Sequence, residues 1–179
     1  SSHSSNYEQL PDFGWKNEHR FSCDGVEGIM LNGAHIKYGF NLKRIISWFV
    51  FEGRFLYWSL FKAKEKPDVI IASSLSLLTF LSASILKWKF RCKLITEVRD
   101  IWPLTIIESK KWSPKNPFIR FLSYVEKVGY KQADAIIGTM SNLVEHVKKI
   151  SADYSGKVFY IPMGLDTDLI AGSDSKDPY

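Results

Sequence analysis

The chain has 179 residues, 45% of them hydrophobic and 24% charged, which suffices for one domain with a real core and excludes a disordered chain. Two cysteines, Cys23 and Cys92, and four histidines, His3, His19, His35 and His146, fall at no metal-ligand spacing; the thiols read as reduced groups of a cytosolic protein and three of the histidines as surface residues. The net charge of +5 favours an anionic partner, whether nucleotide, phosphate-bearing substrate, nucleic acid or acidic membrane face, and does not choose among them.

Ser1 to Asn6 is small and polar and begins without methionine, as a loop entered from something upstream would, so a cut or partial chain is expected. His3 in this stretch belongs either to a tail or to a loop that reaches a ligand. Residues 18–24 and 26–32 read as two short strands about the turn former Asp24-Gly25. Asn41 can cap a helix running to about Lys64. Leu42, Ile45, Ile46, Phe49, Leu56 and Leu60 fall at helical spacing there, and Trp48, Phe51, Phe55 and Trp58 widen the stripe beyond one face. Lys43, Arg44, Arg54, Lys62, Lys64 and Lys66 frame it. Such a helix either packs against a sheet or lies on an anionic membrane. It is not expected to span one, because Glu52 and Arg54 interrupt the apolar run from Ile45 to Phe61.

From Pro67 onward strands and helices alternate. Val69–Ala72 reads as a strand, Ser73-Ser74 as a turn, Leu77–Trp88 as a helix and Lys93–Val98 as a buried strand. Trp102–Ser109 is a loop or short helix. Pro117 suits the first turn of a helix over Phe118–Lys131 that buries Phe118, Phe121, Leu122 and Val125. A strand Ala135–Gly138, a helix Asn142–Ile150 capped by Ser141, and a strand Lys157–Ile161 complete the pattern. Spacings that suit right-handed crossovers predict an α/β fold with a Rossmann-like doubly wound parallel sheet. The polar stretch 169–179 reads as a connector to a further domain.

Several chemistries lack their motif. No G-x-G-x-x-G follows a strand, no P-loop occurs, and no G-x-S-x-G elbow is present. No nucleic-acid-binding motif or dense basic run appears. What remains is the segment Lys-Leu-Ile-Thr-Glu-Val-Arg-Asp-Ile-Trp-Pro at 93–103. Its charge begins abruptly where the strand ends, at the carboxyl edge where open α/β sheets bind ligands. The plain alternative is a strand-end salt bridge with Trp102 packed as core.

Three ordered segments, "PDVIIASS" at 67–74, "LITEVRDIWPLTIIE" at 94–108 and "ADAIIGTMSNLVEHV" leading to "KVFYIPMGLD" at 133–166, resemble the amino-terminal half of a glycosyltransferase family 4 enzyme with the GT-B fold. The bacterial enzymes that build O-antigen, capsule and similar surface polysaccharide are the subgroup they look most like. The resemblance implies that residues 1–168 form a Rossmann-like acceptor-side domain, one half of a GT-B fold that lacks its first strands. The nucleotide-sugar donor would bind mostly through an absent second domain carrying the family's paired glutamates. It further implies a retaining transfer to a lipid-linked saccharide at the cytoplasmic membrane face, with no metal and no cofactor and no nucleic acid as partner, and a fragment inactive by itself.

Under this resemblance Arg99 stands where the family often has histidine. It cannot act as a base, but it can hold an anionic group. Asp100 would orient the acceptor hydroxyl or hold Arg99, and the two are the catalytic candidates. His3, Ser73, Ser74, Ser141 and Gly164 are the substrate-binding candidates, Gly164 with Met163 where the family has asparagine. Glu97 points to the opposite face by strand alternation and reads as structural. The rival reading is a non-catalytic α/β module that recruits a partner protein or an anionic membrane surface.

Overall fold

The computed structural model describes residues 18–23, 25–32, 42–74, 76–162 and 164. Strands β1 (Glu18–Cys23) and β2 (Val26–Leu31) form the expected antiparallel hairpin. Gly25 takes a φ of 80° in its turn, a conformation that costs glycine little. Helix α1 (Leu42–Phe61) follows. Asn41, expected as its cap, lies outside the described residues, as does His3. Then come β3 (Val69–Ser73), α2 (Leu78–Phe90), β4 (Lys93–Val98), α3 (Leu104–Lys110), α4 (Pro117–Gln132), β5 (Ala135–Gly138), α5 (Leu143–Ile150) and β6 (Lys157–Tyr160).

The last four strands form one all-parallel sheet in the order β3-β4-β5-β6. With its flanking helices this is an α/β architecture consistent with a Rossmann-like doubly wound fold. Spatial order equals sequence order, so each crossover steps the same way. Right-handed crossovers that step the same way lay their helices on the same side. Accordingly Leu94, Val98 and Ile136 of the sheet share one core with Phe80 and Ala83 of α2, Leu122 and Val125 of α4, and Leu143 and Val147 of α5. On the other side of the strands Ile71 is 64% exposed and Phe159 47%.

Two helix details differ from expectation. The buried face of α4 is Ile119, Leu122, Val125, Glu126, Gly129 and Tyr130, whereas Phe121 is exposed. On the buried face Gly129 seats Phe80, whose Cβ would lie 2.7 Å from a methyl at that position. The start of α4 follows the expected Pro117, with the Asn116 side chain accepting from the Phe118 amide at 2.9 Å. In α5 the capping position is Asn142, without a side-chain bond, and not Ser141. The chain reaches Asn142 already in a turn, with the Leu143 amide bonded to the Met140 carbonyl.

Polar groups tie the layers together. Helix α1 lies along α2 rather than on the four-stranded sheet: buried Glu52 accepts hydrogen bonds from Thr79 Oγ1 and Ser82 Oγ, each at 2.5 Å. Burial raises the Glu52 carboxyl above the usual range, opposed by those two hydroxyls. Between α4 and α5, buried Glu126 Oε1 accepts from the Tyr130 hydroxyl at 3.0 Å and meets His146 Nε2 at 2.7 Å. Burial, together with the adjacent Glu126 carboxylate, holds the Tyr130 hydroxyl far above the ordinary tyrosine range, so it remains a donor. At the amino edge of the sheet Asp134 bonds to Lys87 at 2.8 Å, Lys93 at 3.0 Å and the Leu94 amide at 2.9 Å. Partial burial would raise this carboxyl, but the bonds from Lys87, Leu94 and Lys93 outweigh it and hold it well below the usual carboxylate range.

Two outcomes follow from this packing. A methyl at position 138 would lie 2.5 Å from the Val98 carbonyl oxygen and 2.6 Å from Leu143 Cδ2. Gly138→Ala is therefore expected to destabilise the chain by about 1–3 kcal/mol in urea unfolding, because backbone must move to admit it. For Asp134, the unfolded chain binds a proton near pH 4 while the folded chain resists one until lower pH. Stability contributed by Asp134 is thus complete above the ordinary aspartate range and is lost as pH falls through the depressed folded value. Asp134→Asn should lower stability at neutral pH by about 1–2 kcal/mol, limited by the solvation of Lys93, and should flatten the acid limb of a stability–pH curve.

Candidate functional site at the carboxyl edge of the sheet

Parallel strands end on a common edge, and here the hydrogen bonds continue past the strand ends. The Ser74 amide donates to the Glu97 carbonyl at 2.9 Å, and the Ile161 amide donates to the Gly138 carbonyl at 2.8 Å. The Arg99 amide donates to Ser74 Oγ, also at 2.9 Å. The loops that begin at Ser74, Arg99, Thr139 and Ile161 therefore open from one rim. With adjacent strands about 4.8 Å apart, the row from Ser74 to Ile161 spans about 14 Å.

Arg99 and Asp100 occupy the second of these loops, immediately after β4, and both are exposed. Neither side chain has a hydrogen-bond or ion-pair partner among the described residues. The salt bridge considered as the plain alternative is therefore not formed between them. The other half of that alternative is partly met: Trp102 is half-buried and packed against the core. It also meets Trp48 of α1 edge-on, with ring centroids 5.6 Å apart. The loop is anchored beneath by Ile101, 1% exposed, and turned by the bond from the Trp102 amide to the Asp100 carbonyl at 3.1 Å. A guanidinium and a carboxylate are thus displayed side by side in sequence on a fixed base.

The serines divide by role. Ser74 is buried, and its hydroxyl holds the amide of Arg99, which makes it a positioning residue for the loop. Ser73 is the last residue of β3, not part of the turn, and its Oγ is buried without a hydrogen-bond partner among the described residues. It pairs in register with Glu97. As alternation predicts, Glu97 shares a face with Ser73 and Ile71, opposite buried Thr96 and Val98. Ser141 is exposed in the third loop. Gly164 is exposed in the fourth, and a side chain there would meet nothing within 4 Å. The rim thus gathers Ser73, Ser74, Arg99 and Asp100 closely. Ser141 and Gly164 lie farther along the same edge. His3 is outside the described residues.

Sequence reasoning passed over the buried carboxylates. Glu126 and His146 lie 20 residues apart on different helices, and no local pattern marks them. Among the described residues no group of three or more His, Cys, Asp or Glu side chains could hold a metal ion. No protein-family model matches the chain, and no curated protein matches it.

Ser74→Ala removes the acceptor for the Arg99 amide without altering the loop sequence. The expected cost is about 1–3 kcal/mol of local stability. Amide hydrogen exchange at Arg99 should accelerate by about tenfold or more, with far-UV circular dichroism unchanged.

Proposed function

We propose that this chain is the acceptor-side domain of a retaining glycosyltransferase, one half of a GT-B fold, that moves a sugar from a nucleotide-sugar donor to a lipid-linked saccharide in surface polysaccharide synthesis of the O-antigen or capsule type. The observation that carries the reading is the exposed pair Arg99 and Asp100 at the carboxyl edge of a parallel sheet, with no partner for either side chain among the described residues. Ligands of open α/β sheets bind at this edge. The ordered resemblance of residues 67–74, 94–108 and 133–166 to family 4 supplies the reaction class.

In the transfer, the bond from the anomeric carbon to the phosphate oxygen breaks, and its electron pair leaves on the nucleoside diphosphate. The acceptor oxygen bonds to that carbon and releases its proton to the departing phosphate or to water. In this reading the guanidinium of Arg99 receives an anionic diphosphate oxygen through two parallel hydrogen bonds. It stays charged throughout and takes no proton. Asp100 accepts from the acceptor hydroxyl and orients it. Donor binding falls to a second domain, and the acceptor's lipid brings the reaction to the cytoplasmic face of the membrane. A second reading, a non-catalytic α/β module that binds a partner protein or an anionic membrane, is favoured by the apolar free face of α1.

The test uses the protein translated from the complete reading frame, with transfer of radiolabelled sugar into a lipid extract as the readout. Arg99→Ala and Asp100→Ala should each lower transfer by about 10²-fold or more, with Tm unchanged because both side chains are exposed. Near-normal transfer in both variants would remove the assigned site.

A further inference from the structure

Helix α1 has two unlike sides. One is engaged: Glu52 and Ser59 are buried, and Glu52 bonds to Thr79 and Ser82 of α2. A neighbouring sector holds the hairpin, with Arg54 donating to the Asn32 carbonyl, Lys62 paired with Glu18 and Arg20 over the Trp58 ring. The remaining sector carries Ile46, Phe49, Val50, Gly53, Tyr57 and Phe61. They recur at i, i+3, i+4, i+7, i+11 and i+15, which is one stripe of an α-helix. All six are exposed, Phe61 to 74% and Tyr57 to 59%. Fifteen residues of rise make the stripe about 22 Å long. Monomeric proteins rarely leave a contiguous apolar surface of that extent uncovered.

The charge around the stripe selects what covers it. The only acidic residue in α1 is Glu52, which is turned inward against α2. Beyond the carboxyl end of the helix Lys64 and Lys66 are exposed. The Lys89 ammonium donates to the Leu60 carbonyl, which brings the basic end of α2, Lys89 with exposed Arg91, alongside. The acidic residues near this end are Glu18, which pairs with Lys62, and exposed Glu65 and Asp68, so cations outnumber them. A charge-free apolar stripe with aromatic residues toward one end and a lysine-rich border beside them is the composition of a helix lying in a membrane interface. It is also a poor match for an apolar protein groove, which would have to bury the lysine border. No described helix is long and apolar enough to cross a membrane, and an amphipathic helix of this kind suits the plane of the interface. Because Trp48 touches Trp102, a helix seated there would hold the rim loop of Arg99 and Asp100 at a fixed distance from the lipid.

We infer that the Ile46–Phe61 face of α1 seats on an anionic lipid bilayer, with Lys64, Lys66, Lys89 and Arg91 against the headgroups. This names the surface that would hold the proposed enzyme at its lipid-linked acceptor. It stands on α1 alone, and vesicle binding and sugar transfer can fail separately.

The experiment is co-sedimentation of the 179-residue chain with phosphatidylcholine vesicles, with and without phosphatidylglycerol. Binding is expected only with the anionic lipid and should weaken as salt is raised. Phe49→Ser with Phe61→Ser removes two exposed rings and should reduce partitioning by about tenfold or more. Lys64→Glu with Lys66→Glu should do the same through the headgroups. Unchanged circular dichroism and Tm show that each variant keeps its fold. The inference is overturned if the wild-type chain ignores anionic vesicles or if the double aromatic variant binds as well as wild type. It is equally overturned if sedimentation without lipid shows a dimer that the aromatic variant abolishes, which would assign the face to a second copy.

Discussion

Each strand of the sheet pairs in parallel with the strand that follows it in the chain, so every connection must travel back from the carboxyl edge to the amino edge before pairing can resume. That single requirement sets most of the molecule. It needs a helix or an equivalent run between strands, and because the steps are all in one direction it stacks α2, α4 and α5 over one face. It also gathers every strand-to-helix loop on one edge. The exposed pair after β4 and the serines after β3 become neighbours through this geometry, although 25 residues separate Ser74 from Arg99.

Burial of charge is handled differently in three places. Glu52 lies inside the α1–α2 contact with two hydroxyl donors and no cation, and burial dominates its titration. Glu126 is 1% exposed and shares one oxygen between Tyr130 and His146. Asp134 sits near the surface with two lysines and a backbone amide, and there the bonds win over desolvation. The contrast between Glu52 and Asp134 follows the general balance between desolvation and partner donors, with ammonium groups outweighing hydroxyls. The first two orient helices against one another; the third fastens the amino edge of β4 and β5, opposite the candidate site.

The alternation of elements from residue 67 onward was legible because both periods are local: β-branched apolar runs for the strands, three-to-four-residue spacing for the helices. Punctuation by Pro67, Asn116-Pro117 and Gly138 lies in the sequence as well. The side of a helix that faces the core was less legible. Phe121 is as apolar as Ile119 and Leu122, yet it is exposed while Phe118 packs against the core, and apolarity alone does not choose among them. The same holds for α1, where apolar residues occur all round the helix and the chain alone could not tell the side facing α2 from the free one. His146 read as a surface residue because nothing near it in the sequence announces Glu126.

The sequence by itself determined the strand and helix periods, the parallel winding that these imply, and the position of Arg99 and Asp100 just past a buried strand. These are consequences of neighbours along the chain, where side-chain alternation and rise per residue do the selecting. Only the tertiary structure decided that Ser74 holds the Arg99 amide, that Glu52 turns toward α2 and leaves Phe49 and Phe61 outside, and that Trp48 reaches Trp102. Each joins residues far apart in the chain, and such contacts depend on how layers settle together, which no local pattern records.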